Sequence, residues 1–145
     1  MREPALDTVA VAEIIVADSD LACSMAPPHQ RTEFPAVLAT ARMVALMELA
    51  SARVLLPFVR PGEQSVGVTI EVEHTAPTPA GAAVRATARF VGRDGKLFLF
   101  EIRAEDGGGQ IGRGTHKRAI VSVDRLENRA ASRNGASHGN SQPGE

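Results

Sequence analysis

The stretch "AVLATARMVALMELASARVLL", residues 36–56, is apolar along almost its whole length. Pro35 precedes it and Pro57 follows it, and proline is common in the first turn of a helix but breaks its interior. We therefore predict one long helix that starts near Pro35 and ends near Leu56. Because apolar residues occupy all of its sides, this helix needs more than one packing partner. We expect a sheet on one side and a second copy of the chain on the other.

Strand patterns lie on both sides of this helix. The β-branched residues 8–17 predict a first strand, and four later segments alternate with period two: "SVGVTIEVEHTAP", "AAVRATARFV", "KLFLFEIRAE" and "IGRGTHKRAIVSV". The turns "GRDG" and "EDGGG" between the last three segments are hairpin turns, so their neighbours run antiparallel. One helix and five strands predict an α+β fold in which a five-stranded antiparallel sheet wraps around the helix.

The rest of the chain divides into a lid and a tail. Residues 18–34 contain two prolines and no clean period, which predicts a loop that covers the site as a mobile lid. From Glu127 to Glu145 no large apolar residue occurs, so burial cannot offset the entropy of ordering. We predict one domain over residues 1–126 and a disordered tail over 127–145.

Composition excludes several classes of function. Lysine and arginine number 16 against 17 acidic residues, with a net charge of −1. Such a balance offers no basic field for nucleic acid or for an anionic membrane. No signal peptide or apolar run of about 20 residues is visible. Cys23 is the only cysteine, so we expect a cytoplasmic protein without disulfides.

No metal or other cofactor is expected. The four histidines are scattered and none belongs to a metal-binding spacing such as H-E-x-x-H: His29, His74, His116 and His138.

Glu48 is the unusual residue of the predicted helix. At 100° and 1.5 Å per residue, Thr40, Val44 and Glu48 lie within about 80° on one side, with Thr40 and Glu48 about 12 Å apart along the axis. Neither Arg42 nor Arg53 is three or four residues from Glu48, so no helical ion pair explains it. A desolvated carboxylate must be paired, hydrogen-bonded or neutralised. A solvated carboxylate on an exposed stripe is the structural alternative.

His74 is the second candidate. By alternation Val66, Val68, Ile70, Val72 and His74 share one strand face, which we expect to be the face toward the helix. A lone histidine at the end of an apolar stripe is more often a satisfied core residue than a catalyst. In the same strand "SVGVTIEVEH" carries a glycine at position 67, which indicates close approach of a backbone or a ligand.

Three segments together resemble a known family: "EFPAVLATARMVALMELAS", "PGEQSVGVTIEVEHTAPTPAG" and "IGRGTHKRAIV". They are similar to the single-domain hot-dog thioesterases of the fluoroacetyl-CoA thioesterase type, over roughly residues 8–124 and most strongly over 33–81. The resemblance implies hydrolysis of an acyl-CoA thioester to free acid and coenzyme A. It also implies a homodimer with one continuous sheet, central helices and two active sites at the interface.

The resemblance assigns roles to individual residues. It implies that Thr40, Glu48 and His74 are catalytic and that the Gly67 amide holds the reacting oxygen or water. It places the lid phenylalanine at Phe34.

The lid departs from the family pattern at one position. Arg31 stands where an ungapped comparison expects a second phenylalanine, so selectivity for a fluoroacetyl group is not implied. We also expect Leu21 to line the acyl pocket.

These residues suit thioester hydrolysis without a metal. Such hydrolysis needs a nucleophile or activated water, a base and oxyanion donors. Thr40 and Glu48 are candidates for the nucleophile or base, and His74 for proton transfer. Whether an acyl-enzyme forms or water attacks directly is left open by the sequence.

Lys117 and Arg118, with Arg113, form the densest cluster of cations in the predicted domain. Such a cluster suits the phosphates of coenzyme A. A solvated strand face is the alternative.

Other functions remain open at this stage. A hot-dog hydratase or dehydratase is disfavoured, because no aspartate occurs between Asp20 and Asp94. A non-catalytic acyl-CoA-binding protein and a hydrolase of acyl carrier protein thioesters are the remaining alternatives. The acyl group, expected to be short or small, and the pairing of dimers into tetramers are not determined by the sequence.

Overall fold

The computed structural model describes residues 2–135. The strands are β1 (Val9–Ile15), β2 (Glu63–His74), β3 (Ala83–Asp94), β4 (Leu97–Asp106) and β5 (Gly109–Ser122). The helices are the short α1 (Ala22–Met25), the central α2 (Thr40–Leu55) and the terminal α3 (Val123–Arg133). Within these residues no helix is long and apolar enough to span a membrane.

The strands form one antiparallel sheet in the order β1-β3-β4-β5-β2. The core lies between this sheet and α2, with Phe90, Phe98 and Phe100 of the sheet and Met43 and Met47 of the helix fully buried. The predicted α+β architecture, one long helix wrapped by five antiparallel strands, is confirmed. Because β2 is an edge strand, one row of its backbone groups has no strand beside it among residues 2–135.

The start of α2 differs from the prediction. The helix begins at Thr40, not near Pro35. The amide of Leu38 donates to the Thr78 carbonyl at 2.8 Å, and Leu38 forms a bridge with Leu21. These long-range pairs hold the preceding residues extended, a tertiary preference that local apolar pattern does not contain. The end is close to expectation, since a 3₁₀ turn that contains Pro57 follows Leu55.

A β-bulge at Val68 changes the faces of β2. Gly67 stands opposite Arg118 and Thr69 opposite Lys117, so Val68 is an extra residue and the alternation shifts by one across it. His74 therefore shares the helix-facing side with Ile70 and Val72, as predicted. The prediction that Val66 and Val68 lie on that face is wrong, because before the bulge the odd-numbered residues face α2.

The tail and the lid contain more structure than predicted. Disorder from residue 127 is wrong for the span that belongs to α3, whose first turn is capped by the Ser122 hydroxyl and carries Asp124. Alanine, arginine and leucine in α3 favour a helix even though none of its residues is buried. The predicted tail beyond residue 135 lies outside the described residues. In the lid, α1 and two 3₁₀ turns replace an unstructured loop.

Candidate active site

Thr40 and His74 form the first half of the candidate site. Thr40 is the first residue of α2 and His74 is the last residue of β2. Their Oγ1 and Nδ1 atoms lie 2.7 Å apart, although 34 positions separate them in the chain. The hydrogen bond from Leu38 to Thr78 ties the segment before α2 to the segment after β2. The fold thus brings together two of the three predicted catalytic residues.

The second ring nitrogen of His74 is a buried polar atom without a partner. Among residues 2–135, no hydrogen-bonding group reaches Nε2. Buried polar atoms are nearly always satisfied, so an orphan at a candidate site points to a group that is supplied from outside the chain. When the Thr40 hydroxyl donates to Nδ1, the neutral ring carries its proton on Nε2 and needs an acceptor there.

Glu48 belongs to a separate group of charged and polar side chains. Arg118 Nη1 donates to Glu48 Oε2 at 3.1 Å. Arg118 is only 5% exposed, and its Nε and Nη2 atoms donate to the Ser65 hydroxyl and carbonyl at 3.0 and 2.8 Å. The carboxylate in the apolar helix is therefore paired with a cation from β5. The Glu48 side chain remains 42% exposed, so it is open to a further contact.

The two helix arginines considered as partners for Glu48 bind elsewhere. Arg42 donates to Asp20 at 2.8 Å, which fixes the lid against the start of α2. Arg53 donates to the Val11 carbonyl at 2.9 Å.

His116 completes the group around Glu48. Its Nδ1 lies 2.7 Å from the Thr69 carbonyl oxygen, and its Nε2 lies 3.1 Å from Arg118 Nη1. Burial is the main cause that lowers the pKa of His116 below its usual value of 6.5, and the Arg118 charge lowers the pKa further. The Thr69 carbonyl and Glu48 oppose this shift. His116 is therefore a neutral ring at pH 7.

Glycine at position 67 is explained by the closeness of Glu48. A Cβ atom at Gly67 would lie 2.5 Å from Glu48 Oε2 and 3.2 Å from His116 Cε1. Any larger residue would displace the carboxylate from its place beside β2. The close approach expected at Gly67 is therefore made by the Glu48 and His116 side chains. The role of the Gly67 amide as an oxyanion donor stays a prediction.

The two groups do not meet within one chain. Thr40 and Glu48 are about 12 Å apart along α2, and roughly 20 Å of β2 separates His74 from Gly67. No hydrogen bond within residues 2–135 joins Glu48 to either Thr40 or His74. One chain therefore holds two partial sites, the Thr40–His74 pair and the Glu48 cluster, which we define as Glu48, Ser65, His116 and Arg118.

The predicted lid residues occupy different environments. Phe34 is 50% exposed at the end of the second 3₁₀ turn, which suits a residue that closes over a ligand. Leu21 is packed in the hydrophobic core, and its contact with an acyl group stays a prediction. Arg31, at the position that departs from the family pattern, donates to the Ser24 hydroxyl at 3.0 Å.

The predicted cation cluster is not a cluster in the fold. Lys117 and Arg118 are neighbours in β5, so their side chains lie on opposite faces of the sheet. Lys117 pairs with Asp94 at 3.1 Å, and Arg113 lies 3.6 Å from Glu73. Arg118 points to α2 and its guanidinium is buried, which disfavours phosphate binding by this residue. Coenzyme A binding by Lys117 stays a prediction.

Sequence reasoning missed His116 and Ser65. The signal for His116 was present, because residues 116 and 118 are two apart on one strand and must share a face. The signal for Ser65 was hidden by the bulge, which reverses the alternation between it and His74.

Comparisons with known proteins show to which family the chain belongs. The family model described as fluoroacetyl-CoA-specific thioesterase matches residues 16–124. The chain belongs to this family. A fluoroacetyl-CoA thioesterase of Streptantibioticus cattleyicolor is 40% identical over 111 residues, which cover 69% of this chain and 80% of the relative.

Solved structures agree with this membership in the fluoroacetyl-CoA-specific thioesterase family. A structure of the fluoroacetyl-CoA thioesterase superposes with a TM-score of 0.82 at 34% identity, covering 91% of this chain and 96% of that one. A hypothetical protein of Thermus thermophilus, described as a thioesterase superfamily member, gives a TM-score of 0.79 at 29% identity, covering 92% and 97%. The hot-dog fold implied by the sequence resemblance is confirmed.

Burial of neutral His116 makes the stability of the protein depend on pH. Because its pKa in the folded chain is lowered, the unfolded chain binds more protons as pH falls below about 6.5. The free energy of unfolding of the parent should therefore decrease as pH falls through this window, whereas that of His116→Gln should not show this decrease. The stability difference between parent and variant should therefore shrink between about pH 7.5 and pH 5, measured by urea unfolding.

The other titrating groups do not contribute to the stability difference between the parent and His116→Gln in this pH window. Histidines other than His116 are present in both proteins and cancel in the difference. Asp106, whose pKa is lowered mainly by the Thr78 hydroxyl, affects stability only below its usual value of 3.8. Parallel stability curves for parent and variant would show that His116 protonation is not coupled to folding.

Proposed function

We propose that the protein hydrolyses an acyl-CoA thioester with a short or small acyl group to the free acid and coenzyme A. The observation that carries this proposal is the Thr40–His74 contact of 2.7 Å together with the unpartnered, buried Nε2 of His74. A hydroxyl in contact with an imidazole is the core of an activated nucleophile or water, and the open Nε2 is where the third, orienting group of such an arrangement binds. Family membership and the activity named for the 40% identical relative support the same reaction.

The reaction follows from these groups. As the Thr40 oxygen, or a water that it orients, attacks the thioester carbonyl carbon, its proton passes to His74. The carbonyl oxygen becomes negative and is stabilised by the Gly67 amide. When the C–S bond breaks, His74 returns the proton to the departing thiolate. If Thr40 attacked directly, a second attack by water releases the acid and restores the hydroxyl.

Glu48 supplies the negative charge of the proposed site. Its carboxylate serves as the acceptor for the His74 Nε2–H, which stabilises the imidazolium that forms during attack, or as the base toward water. In either role the negative charge is essential. Arg118 balances this charge inside the sheet, while the exposed part of the carboxylate faces the reaction.

The two partial sites are joined by a second copy of the chain in this proposal. The edge strand β2 has unpaired backbone groups, and the apolar side chains of Val68 and Ile70 on it are exposed. Antiparallel pairing with the β2 strand of another copy would satisfy the backbone groups and cover these side chains. An axis near Glu71 lies about equally far along β2 from His74 and from Gly67, because its β5 partner Thr115 is midway between theirs, Gly112 and Arg118. Such pairing brings the His74 of one protomer to the Gly67 and Glu48 side of the other.

The exposed side of α2 supports the same assembly. Leu49 and Leu56 are exposed in the single chain, at 44% and 65%, although both belong to the stretch that needs a second packing partner. A homodimer with α2 at its centre would cover them. Pairing of two dimers into a tetramer is not required by any of these observations.

The first test is thiol release from a panel of acyl-CoAs, followed with a thiol reagent. The parent should release thiol, and Glu48→Gln and His74→Ala should lower kcat by a factor on the order of 10² to 10⁴. Thr40→Ser should retain more activity than Thr40→Ala, because it keeps the hydroxyl.

The matched control is Glu127→Gln on the exposed helix α3, which lies away from β2 and should leave kcat unchanged. Melting temperatures of all variants separate loss of chemistry from loss of folding. Parental rates in both Glu48→Gln and His74→Ala would overturn the proposed mechanism. A parent that binds acyl-CoA without releasing thiol would identify a binding protein.

Complementation between two inactive variants tests the shared site. A heterodimer of His74→Ala and Glu48→Gln protomers, isolated through two different tags, contains one doubly damaged site and one intact site. It should recover about half of the parental activity per dimer, because one of two sites is whole.

A site built within one protomer gives the opposite outcome. Each site of the heterodimer would then carry one substitution, and the heterodimer would be as inactive as either homodimer. Failure to recover any doubly tagged species from co-expressed protomers would rule out the assembly itself.

Phe34 is expected to act as the lid residue of the acyl pocket. Phe34→Ala should raise KM or broaden the accepted acyl chain lengths, because an apolar contact over the bound group is removed. His29→Ala, another exposed residue of the same lid, is the control and should change neither. Identical specificity profiles for Phe34→Ala and the parent would remove Phe34 from the site.

A further inference from the structure

His116 and Glu48 both accept hydrogen bonds from the same guanidinium nitrogen, Arg118 Nη1. His116 is 2% exposed, and its ring lies between the strand that follows the β2 bulge and the Arg118 guanidinium. The Thr69 carbonyl lies 2.7 Å from Nδ1, and Arg118 Nη1 lies 3.1 Å from Nε2. His116 does not contact Thr40 or His74, so any effect on the reaction must pass through another residue.

The chemistry of the two neighbours allows one form of the His116 ring. A carbonyl oxygen can only accept, so Nδ1 must carry the proton. A guanidinium can only donate, so Nε2 must offer its lone pair. His116 is therefore held as the neutral Nδ1–H tautomer, with donor and acceptor both used.

The contact with His116 fixes how Arg118 meets Glu48. Nη1 has two hydrogens, and its two acceptors are His116 Nε2 and Glu48 Oε2, both at 3.1 Å. Nε and Nη2 are held by Ser65. When His116 takes one Nη1 hydrogen, the other is directed at the carboxylate, because the guanidinium is planar.

We propose that His116 is a positioning residue, which acts through Arg118 to hold the Glu48 carboxylate in place and does so only as a neutral ring. The proposal rests on the proposed function, in which Glu48 takes part in thioester hydrolysis. Protonated His116 would turn an N–H toward the Arg118 N–H and place two positive charges side by side, so the contact would be lost. The titratable groups that face the ring are Arg118 on β5 and Glu48 on α2; the Phe100 ring packs beside it.

Two conservative substitutions separate this role from a purely structural one. In His116→Gln the side-chain oxygen replaces Nε2 as an acceptor for Arg118, whereas the donor to Thr69 is lost. In His116→Asn the side-chain nitrogen replaces Nδ1 as a donor to Thr69, whereas the acceptor for Arg118 is lost. Each variant thus keeps one of the two hydrogen bonds.

The kinetic outcome discriminates between the roles. For a positioning role, kcat of His116→Asn should fall about 10- to 100-fold, the effect of losing a hydrogen bond to a charged group, while His116→Gln stays within a few-fold of the parent. KM should change little in both. Retention of kcat in His116→Asn with loss in His116→Gln would show that His116 only anchors Thr69 and would overturn the proposal.

The pH profile provides a second readout. The parent should lose activity in acid as His116 takes up a proton, and His116→Gln should lack this contribution. The ratio of kcat in His116→Gln to kcat in the parent should therefore rise as pH falls through the pKa of His116 in the folded protein, which burial lowers below its usual value. A ratio that is constant with pH would contradict the requirement for a neutral ring.

A measurement without substrate keeps this proposal separate from the proposed function. In nitrogen NMR the two Nη atoms of Arg118 should give separate signals in the parent and in His116→Gln, because hydrogen bonds slow rotation of the guanidinium. In His116→Asn faster rotation should average the two signals into one. If this pattern holds and the parent hydrolyses no acyl-CoA, the proposed function fails while the positioning of Arg118 stands. Identical Arg118 signals in all three proteins would overturn the positioning role whatever the activity.

Discussion

Burial of the apolar helix α2 is the constraint on which the rest of the structure depends. Every strand of the sheet belongs to one curved layer around this helix, and Met43 and Met47 on it are fully buried against the sheet. Removal of such side chains from water is the main favourable contribution to folding. The same helix carries Thr40 at its first position and Glu48 in its middle. The packing that stabilises the fold therefore also determines where the groups of the proposed site lie, and the side of α2 that the sheet leaves open is the side assigned to the proposed partner.

The buried guanidinium of Arg118 determines the arrangement of the side chains around Glu48. Arg118 lies inside the sheet, and a buried guanidinium is tolerated only when its donors are engaged. Its nitrogens bind Ser65, His116 and Glu48. This requirement explains several sequence features together. Gly67 makes room for the carboxylate, and the bulge at Val68 sets Ser65 and His74 on the same side of β2 although one is odd-numbered before the bulge and the other even-numbered after it. The Glu48 cluster is thus a single electrostatic unit assembled from α2, β2 and β5.

Local patterns predicted the elements well and their junctions less well. Period-two segments identified β2 to β5, and the long apolar stretch identified α2. Both kinds of element can be recognised because the order of apolar and polar residues reflects which side chains are buried. The start of α2 was misplaced because Leu38 is held by Thr78, whose position in space is not visible from the sequence near Leu38. Adjacency in the chain predicts a cation cluster at Lys117 and Arg118, but neighbouring residues of a strand point to opposite faces of the sheet.

The sequence by itself determined the α+β architecture, the family resemblance and the residue types of the proposed site: a hydroxyl, a carboxylate and an imidazole at Thr40, Glu48 and His74. Only the tertiary structure decided which of these meet. It places Thr40 at the start of α2 in contact with His74 at the end of β2. Glu48 contacts neither of them and instead accepts a hydrogen bond from Arg118. The physical reason is that periodicity fixes the direction of a side chain relative to its own element, whereas a contact between elements depends on strand register. One bulge in β2 shifts that register by a residue, and Gly67 beside it does not by itself distinguish a bulge from a close approach of another group.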